Sequence, residues 1–159
     1  IRPNQLFSIA TTYPVIKPSS EIGKSIYKVV KSKLLTRYGL RTLAKGEEGY
    51  VPAYEGDCYK RDMSYHQGPV WVWLLGLYHD SLKNIIDDEK DRLEKEILII
   101  EYENFISNVY TTFKSEIYNP EGIGSISELY SAQPPYKPGG TFAQAWSVSE
   151  ILKIVTKLN

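Results

Sequence analysis

The stretch Tyr65-His66-Gln67-Gly68-Pro69-Val70-Trp71-Val72-Trp73 decides how this chain is read. It turns from polar to apolar at Gly68. Gly68 lets a ligand or another backbone approach closely. Pro69 fits the first position of a helix, where its missing N–H would be unpaired anyway. The run from Pro69 to Leu77 is apolar nearly all round, which predicts a helix buried on several sides and extending to about Ile86. Upstream of Gly68, His66 and Gln67 form a planar set of donors and acceptors beside indole faces. A pyranose ring requires that chemistry: hydrogen bonds to hydroxyls and stacking on C–H faces.

Four more helices follow from the pattern. The first spans about Pro3 to Thr12, with Leu6, Ile9 and Ala10 inward. The second begins after Pro18-Ser19-Ser20, with a serine cap, Glu21 at the positive end of the dipole, and a stop at Tyr38-Gly39. Its stripe is read as Ile22, Ile26, Val29 and Val30. The fourth runs from Asp87-Asp88 to Tyr118 and ends at Asn119-Pro120. Leu98, Tyr102, Phe105, Val109, Phe113 and Ile117 recur on it at helical spacing, and its other face reads as charged. The fifth starts at Thr141-Phe142-Ala143-Gln144, a capping-box pattern, and carries Val148, Ile151, Leu152 and Val155.

The connections carry more information than the helices. About thirty residues separate helices two and three, and about twenty separate four and five. In an up–down array these long loops fall on one face, with the N-termini of helices one, three and five. Long loops in compact folds are usually functional. The expected fold is therefore mainly α, built from helical hairpins as a single domain over residues 1–159.

Bulk properties exclude several partners. The 19 basic and 19 acidic side chains cancel, which argues against nucleic acid and anionic membrane surfaces. No apolar run approaches the roughly 20 residues of a membrane span. The lone Cys58 excludes an internal disulfide and suits a reducing cytosol, so a cytoplasmic location is expected. The opening at Ile1 and the lack of a signal-peptide pattern read as the interior of a longer gene product. With only His66 and His79 as imidazoles, neither a metal nor another cofactor is expected.

Of the thirteen tyrosines, six cluster in the loops and shift weight from packing toward binding: Tyr50, Tyr54, Tyr59, Tyr65, Tyr130 and Tyr136. Glu128 lies in the second loop, within Gly124-Ser125-Ile126-Ser127-Glu128-Leu129-Tyr130. It reads either as a surface ion-pair partner or as a catalytic carboxylate. Arg61-Asp62 reads either as part of a solvated, ion-paired loop or as a clamp on sugar hydroxyls. Trp71 and Trp146, each placed one turn into a helix, read as core or as stacking platforms. Gln144 reads as the closing residue of the capping box. Cys58, with no nearby histidine to activate it, reads as incidental.

Five ordered motifs resemble one family. Arg2-Pro3-Asn4-Gln5, Tyr38-Gly39-Leu40-Arg41-Thr42-Leu43, Tyr65-His66-Gln67-Gly68 with Val70-Trp71, Ile126-Ser127-Glu128, and Ala143-Gln144-Ala145-Trp146-Ser147 are similar to the amylo-α-1,6-glucosidase domain of glycogen debranching enzymes. The resemblance implies an (α/α)6 toroid, of which this chain is the last part, with the site at the N-terminal ends of the inner helices. It implies Glu128 as the catalytic base of an inverting glycosidase. It also implies Arg41, Arg61, Asp62, His66, Gln67, Trp71, Gln144 and Trp146 as substrate contacts, and glycogen or another branched α-glucan as the partner. The family's Trp-Met-Asp segment with the general acid does not occur in this sequence, and its bulky aromatic after Ser-Glu-Ile is replaced by Leu129-Tyr130-Ser131. The isolated chain is therefore expected to be inactive, and self-association or a partner chain to complete the toroid. Rival readings are another toroid α-glycosidase, glucoamylase-like or trehalase-like, and a non-catalytic carbohydrate-binding or structural fragment.

Overall fold

The computed structural model describes residues 1–118 and 124–156. The fold is mainly α, as expected. A 3-10 turn at Pro3–Leu6 runs into α1 (Phe7–Ala10). There follow α2 (Glu21–Lys33), α3 (Cys58–Ser64), α4 (Leu74–Asp88), α5 (Arg92–Glu116) and α6 (Ala145–Val155). Four two-residue strands lie between them: β1 (Leu40–Arg41), β2 (Val70–Trp71), β3 (Leu129–Tyr130) and β4 (Pro138–Gly139).

Helix α4 is the centre of the packing. It touches α1, α2, α5 and α6, and buries Leu74, Leu75, Leu77, Tyr78, Leu82, Ile85 and Ile86. The apolar run thus lies among several helices, as its all-round pattern implies. Leu6, Ile9 and Ala10 face inward as read from the sequence. Asn84 Nδ2 donates to the Ile9 carbonyl at 2.9 Å and pins the end of α1.

Helix α2 is capped by Ser20, whose Oγ accepts from Gly23 N at 3.2 Å. Its buried line is Gly23, Tyr27, Val30 and then Leu34, while Ile22 is 64% exposed. The inward stripe is therefore turned from the one read in sequence. Tyr27 makes the difference: its ring packs on Tyr78 at 5.0 Å between centroids, and the two hydroxyls meet at 2.5 Å. The helix stops at Lys33, before Tyr38-Gly39, because Leu35 already bridges to Leu40 and Arg41 N donates to the Leu34 carbonyl at 2.9 Å.

Helix α5 starts at Arg92, later than Asp87-Asp88, because Asp91 caps it by accepting from Glu94 N at 2.8 Å. Phe105, Val109 and Phe113 are buried on the expected stripe. Its outward face is not purely charged: Leu93, Ile97 and Ile100 are each more than half exposed. Ion pairs Lys24–Glu94 at 2.7 Å and Lys31–Glu101 at 2.6 Å tie α2 to α5. The expected stop at Asn119-Pro120 lies outside the described residues.

The main departure from the sequence reading is the sheet. The strands are antiparallel in the order β1-β2-β3-β4, with Leu40 opposite Trp71, Val70 opposite Tyr130 and Leu129 opposite Gly139. Val70 and Trp71 are therefore strand and not helix. Their backbone groups are paired on both sides, so the helix begins only at Leu74 and Pro69 is not its first position. The Pro69 carbonyl accepts instead from Thr42 N at 3.2 Å and Thr42 Oγ1 at 3.0 Å. The sheet joins the two long loops on one face, which was the expected placement.

Candidate functional site

Glu128 immediately precedes β3 and is 8% exposed. Its backbone N–H donates to the Thr141 carbonyl at 2.9 Å. Two hydrogen bonds meet its carboxylate: Gln144 Nε2 reaches Oε1 at 3.1 Å and Thr141 N reaches Oε2 at 3.3 Å, while Tyr65 lines the same cavity. Burial pushes the Tyr65 hydroxyl's pKa upward, and the neighbouring Glu128 adds to that shift. Glu128 makes no ion pair among the described residues, so the surface ion-pair reading does not describe it.

A Gln144 side chain on Glu128 is not closing a capping box. Helix α6 begins at Ala145, with Gln144 itself as the N-cap residue and no side-chain cap bond. Thr141 is held by Glu128 and lies outside the helix. Gln144 N donates to the Ile126 carbonyl at 2.9 Å, and Ser147 Oγ to the Ser127 carbonyl at 3.1 Å. The start of α6 is thereby laced to Ile126 and Ser127, which fixes Glu128 relative to Gln144.

Glu128 lies on the wall of a cavity of about 670 Å³, with Glu55, Arg61, Tyr65, Lys137 and Thr141. Arg61 stands in α3, a helix not foreseen in the first loop. Asp57 caps that helix by accepting from Lys60 N at 2.9 Å. Arg61 Nη1 donates to the Gly56 carbonyl at 2.6 Å, and Nη2 contacts Cys58 Sγ at 3.4 Å. Arg61 and Asp62 do not pair with each other; Asp62 is exposed and outside the cavity lining.

His66, Trp71 and Trp146 lie together in a second cavity of about 330 Å³. The His66 ring stacks on Trp71 at 5.2 Å, and Trp146 meets Trp71 edge-on at 5.8 Å. Trp71 donates its indole N–H to the Tyr65 carbonyl at 3.0 Å and is 3% exposed, so it serves as core and cavity wall at once. Gln67 lies beside this cavity, with Oε1 accepting from Arg2 Nη2. Arg41 is drawn elsewhere: its Nη2 donates to the Ala132 carbonyl at 3.2 Å, and its buried Nε has no partner among the described residues.

Sequence reading overlooked Tyr65 as a neighbour of Glu128 in its cavity, Thr141 and Gly140 as its seat, and Arg2 as the clamp on Gln67. The one available signal was Gly139-Gly140, a pair of glycines that makes room for something close. A larger groove of about 960 Å³ runs between α2 and α5 and shares no lining residue with these two cavities. Among the described residues, no group of three or more His, Cys, Asp or Glu is placed to hold a metal, and no helix is long and apolar enough to cross a membrane. His79 is a satisfied core histidine, bonded to Asp80 at 2.8 Å and to the Tyr102 hydroxyl at 2.7 Å.

A seated carboxylate and an aromatic cavity thus lie on the loop face of the helical array. The particular family follows from comparison: the family model for amylo-alpha-1,6-glucosidase matches residues 1–153, and the chain belongs to that family. No curated protein matches the chain.

Proposed function

We propose that this chain is the last part of an (α/α)6 toroid and supplies the base half of an inverting amylo-α-1,6-glucosidase site. The reaction releases the α-1,6-linked glucose left at a trimmed branch point of glycogen or another branched α-glucan. Inversion needs one carboxylic acid to protonate the leaving oxygen and one carboxylate to activate water on the opposite face of the sugar. Glu128 takes the second role, and the acid comes from residues outside this sequence. A partner segment, or a second chain, would then complete the toroid. A cytoplasmic location accords with the reading.

The observation that carries the reading is the seat of Glu128. Gln144 and Thr141 hold the carboxylate on a cavity wall, with no ion-pair partner among the described residues to neutralise it. A carboxylate so held is oriented toward a water in the cavity and retains lone pairs to take its proton. Arg61 lines the same cavity and supplies donors for sugar hydroxyls, while Asp62, His66 and Gln67 are proposed contacts at its approaches.

The test uses the full-length protein acting on limit dextrin. Glu128→Gln keeps the shape of the seat and removes the base, so turnover should fall by about 10²–10⁴-fold. Proton NMR of the native reaction should show β-glucose as the first product. Near-normal turnover in the variant, or α-glucose released first, would overturn the proposal. Panose and trehalose as competing substrates separate it from the glucoamylase-like and trehalase-like alternatives.

A further inference from the structure

Helices α2 and α5 run side by side in the same direction, since Lys24 pairs with Glu94 and, further along both helices, Lys31 pairs with Glu101. The groove of about 960 Å³ opens between them. Lys31, Leu35 and Arg37 wall it on one side, and α5 from Ile97 to Thr112 walls it on the other. Its floor is apolar: Leu75 and Tyr78 of α4, with the buried rings and branches of Phe105 and Val109.

The outward stripe of α5 has two unlike halves. Leu93, Ile97, Ile100, Asn104, Asn108 and Thr111 are all exposed and recur three or four residues apart, the spacing of one helix face. The first three are apolar, and around them residues 94–103 hold four glutamates and one lysine. The last three are polar and lie along the groove. Across the groove the charge is of the opposite sign. From residue 22 to residue 46 the sequence carries seven basic side chains and no acidic one. Lys24 and Lys31 are committed to glutamates of α5, but Lys33 and Arg37 are exposed and make no ion pair among the described residues. Glu103 also has none, and Glu96 meets only Arg92, one turn away in a solvated pair that contributes little.

An acid-flanked apolar stripe and a base-walled apolar groove therefore share one face of one chain, displaced along α5. Such a face complements itself about a two-fold axis that sets two copies of α5 antiparallel. Leu93 and Ile97 of each copy then enter the groove of the other. Ile100 lies beside the partner's Asn104, and Glu96 approaches the partner's Arg37. A parallel pair also buries the isoleucines, but it sets glutamate against glutamate and leaves Arg37 unmet. Charge thus selects the antiparallel arrangement.

We infer that this protein pairs with a second copy of itself through antiparallel α5 helices, the Leu93–Ile100 stripe of each seated in the α2–α5 groove of the other. This surface shares no lining residue with the two cavities on the loop face, and the inference does not rest on the glycosidase reading.

Sedimentation equilibrium of the full-length protein, up to about 100 μM, should show a monomer–dimer equilibrium. Ile100→Asp sets a charge into the seam and should raise the dissociation constant about tenfold or more. Arg37→Glu should weaken pairing as well, and adding Glu96→Arg to it should restore pairing. All these positions are exposed, and circular dichroism checks that the variants fold. The register is read by cross-linking in a Cys58→Ser parent, which removes the exposed native thiol. Leu93→Cys and Thr111→Cys stand about 27 Å apart along one helix, so a disulfide between them joins two chains. Oxidation of that double variant should give covalent dimer well above the parent, and neither single variant should. The inference is overturned by a native protein that stays monomeric up to about 100 μM, or by a folded Ile100→Asp variant that dimerises as the native protein does. It is equally overturned if the charge swap fails to restore pairing, if the double variant cross-links no more than the parent, or if Leu93→Cys alone cross-links, which marks a parallel pair.

Discussion

A Cβ placed on Gly140 would stand 2.3 Å from Glu128 Oε2. The glycine is the floor of the carboxylate's seat, and with φ at +71° it also adopts a backbone that side chains rarely accept. Gly140→Ala therefore costs twice. The left-handed conformation costs about 1–2 kcal/mol. The methyl also displaces the carboxylate, and a misplacement on the order of 1 Å lowers turnover by about 10²-fold. Kinetics and thermal melting of the full-length variant check the two parts separately. Native turnover in Gly140→Ala would show that the position of Glu128 does not limit the reaction.

Gln144 tests the seat from the other side. Its Nε2 donates to Glu128 Oε1 at 3.1 Å, and its backbone N–H holds the Ile126 carbonyl. Gln144→Ala removes only the first of these. A hydrogen bond to a carboxylate contributes about 1.5–3 kcal/mol, so the full-length variant should lose about 10-fold to 100-fold in kcat/KM. Gln144→Glu should lose more, because it sets a second carboxylate against Glu128. A Gln144→Glu variant as active as Gln144→Ala would remove the side-chain contact from the account.

The helical periodicity of Leu98 to Phe113 and the all-round apolar run after Val72 made the α elements legible, as did the loop lengths that bring both long connections to one face. The strands were not legible. Each is two residues long, too short for any alternation to register, and each is defined by partners far away in sequence. Val70-Trp71 has the composition of a buried helix as much as of a strand; only the presence of Leu40-Arg41 and Leu129-Tyr130 on its two edges decides between them. The same holds at Gln144, where a tertiary hydrogen bond to Glu128 outcompetes the local capping pattern that Thr141-Gln144 displays. Tyr65 was visible as an aromatic loop residue, but its role depends on the fold bringing it to a carboxylate 63 positions away in sequence.

Gly68 is a position where sequence and structure agree on close approach. A Cβ there would lie 2.2 Å from the Val51 carbonyl oxygen and 3.1 Å from the Tyr50 ring. The nearest atom is backbone, and Val51 N is itself bonded to the Gln67 carbonyl at 2.7 Å, so that loop segment cannot simply step away. Gly68→Ala should destabilise by about 1–3 kcal/mol, the usual range for forced overpacking, and lower Tm by about 2–4 °C per kcal/mol in a chain of this size. Because His66 and Gln67 precede it, the variant should also weaken sugar binding. A melting temperature equal to the native value would refute the rigid approach.

Asp80 joins α4 to α6 through Lys153 Nζ at 3.0 Å and also accepts from His79 Nδ1 at 2.8 Å. Burial raises its pKa, but the hydrogen bonds from His79 and Lys153, with the Lys153 charge, more than offset this and leave it below the usual value. A carboxylate with a depressed folded pKa stabilises the fold fully above its unfolded value of about 3.9, and that contribution fades as pH falls through the lower folded value. The Asp80 side chain is 37% exposed, so solvent moderates the effect. Asp80→Asn should lower Tm at pH 7. The difference from the native chain should narrow as the buffer is taken below about pH 4, where the native carboxylate protonates as well. Paired melts across that range check the sign. A gap that stays constant down to acid would mean that the charge of Asp80 contributes nothing and that only its shape holds α4 to α6.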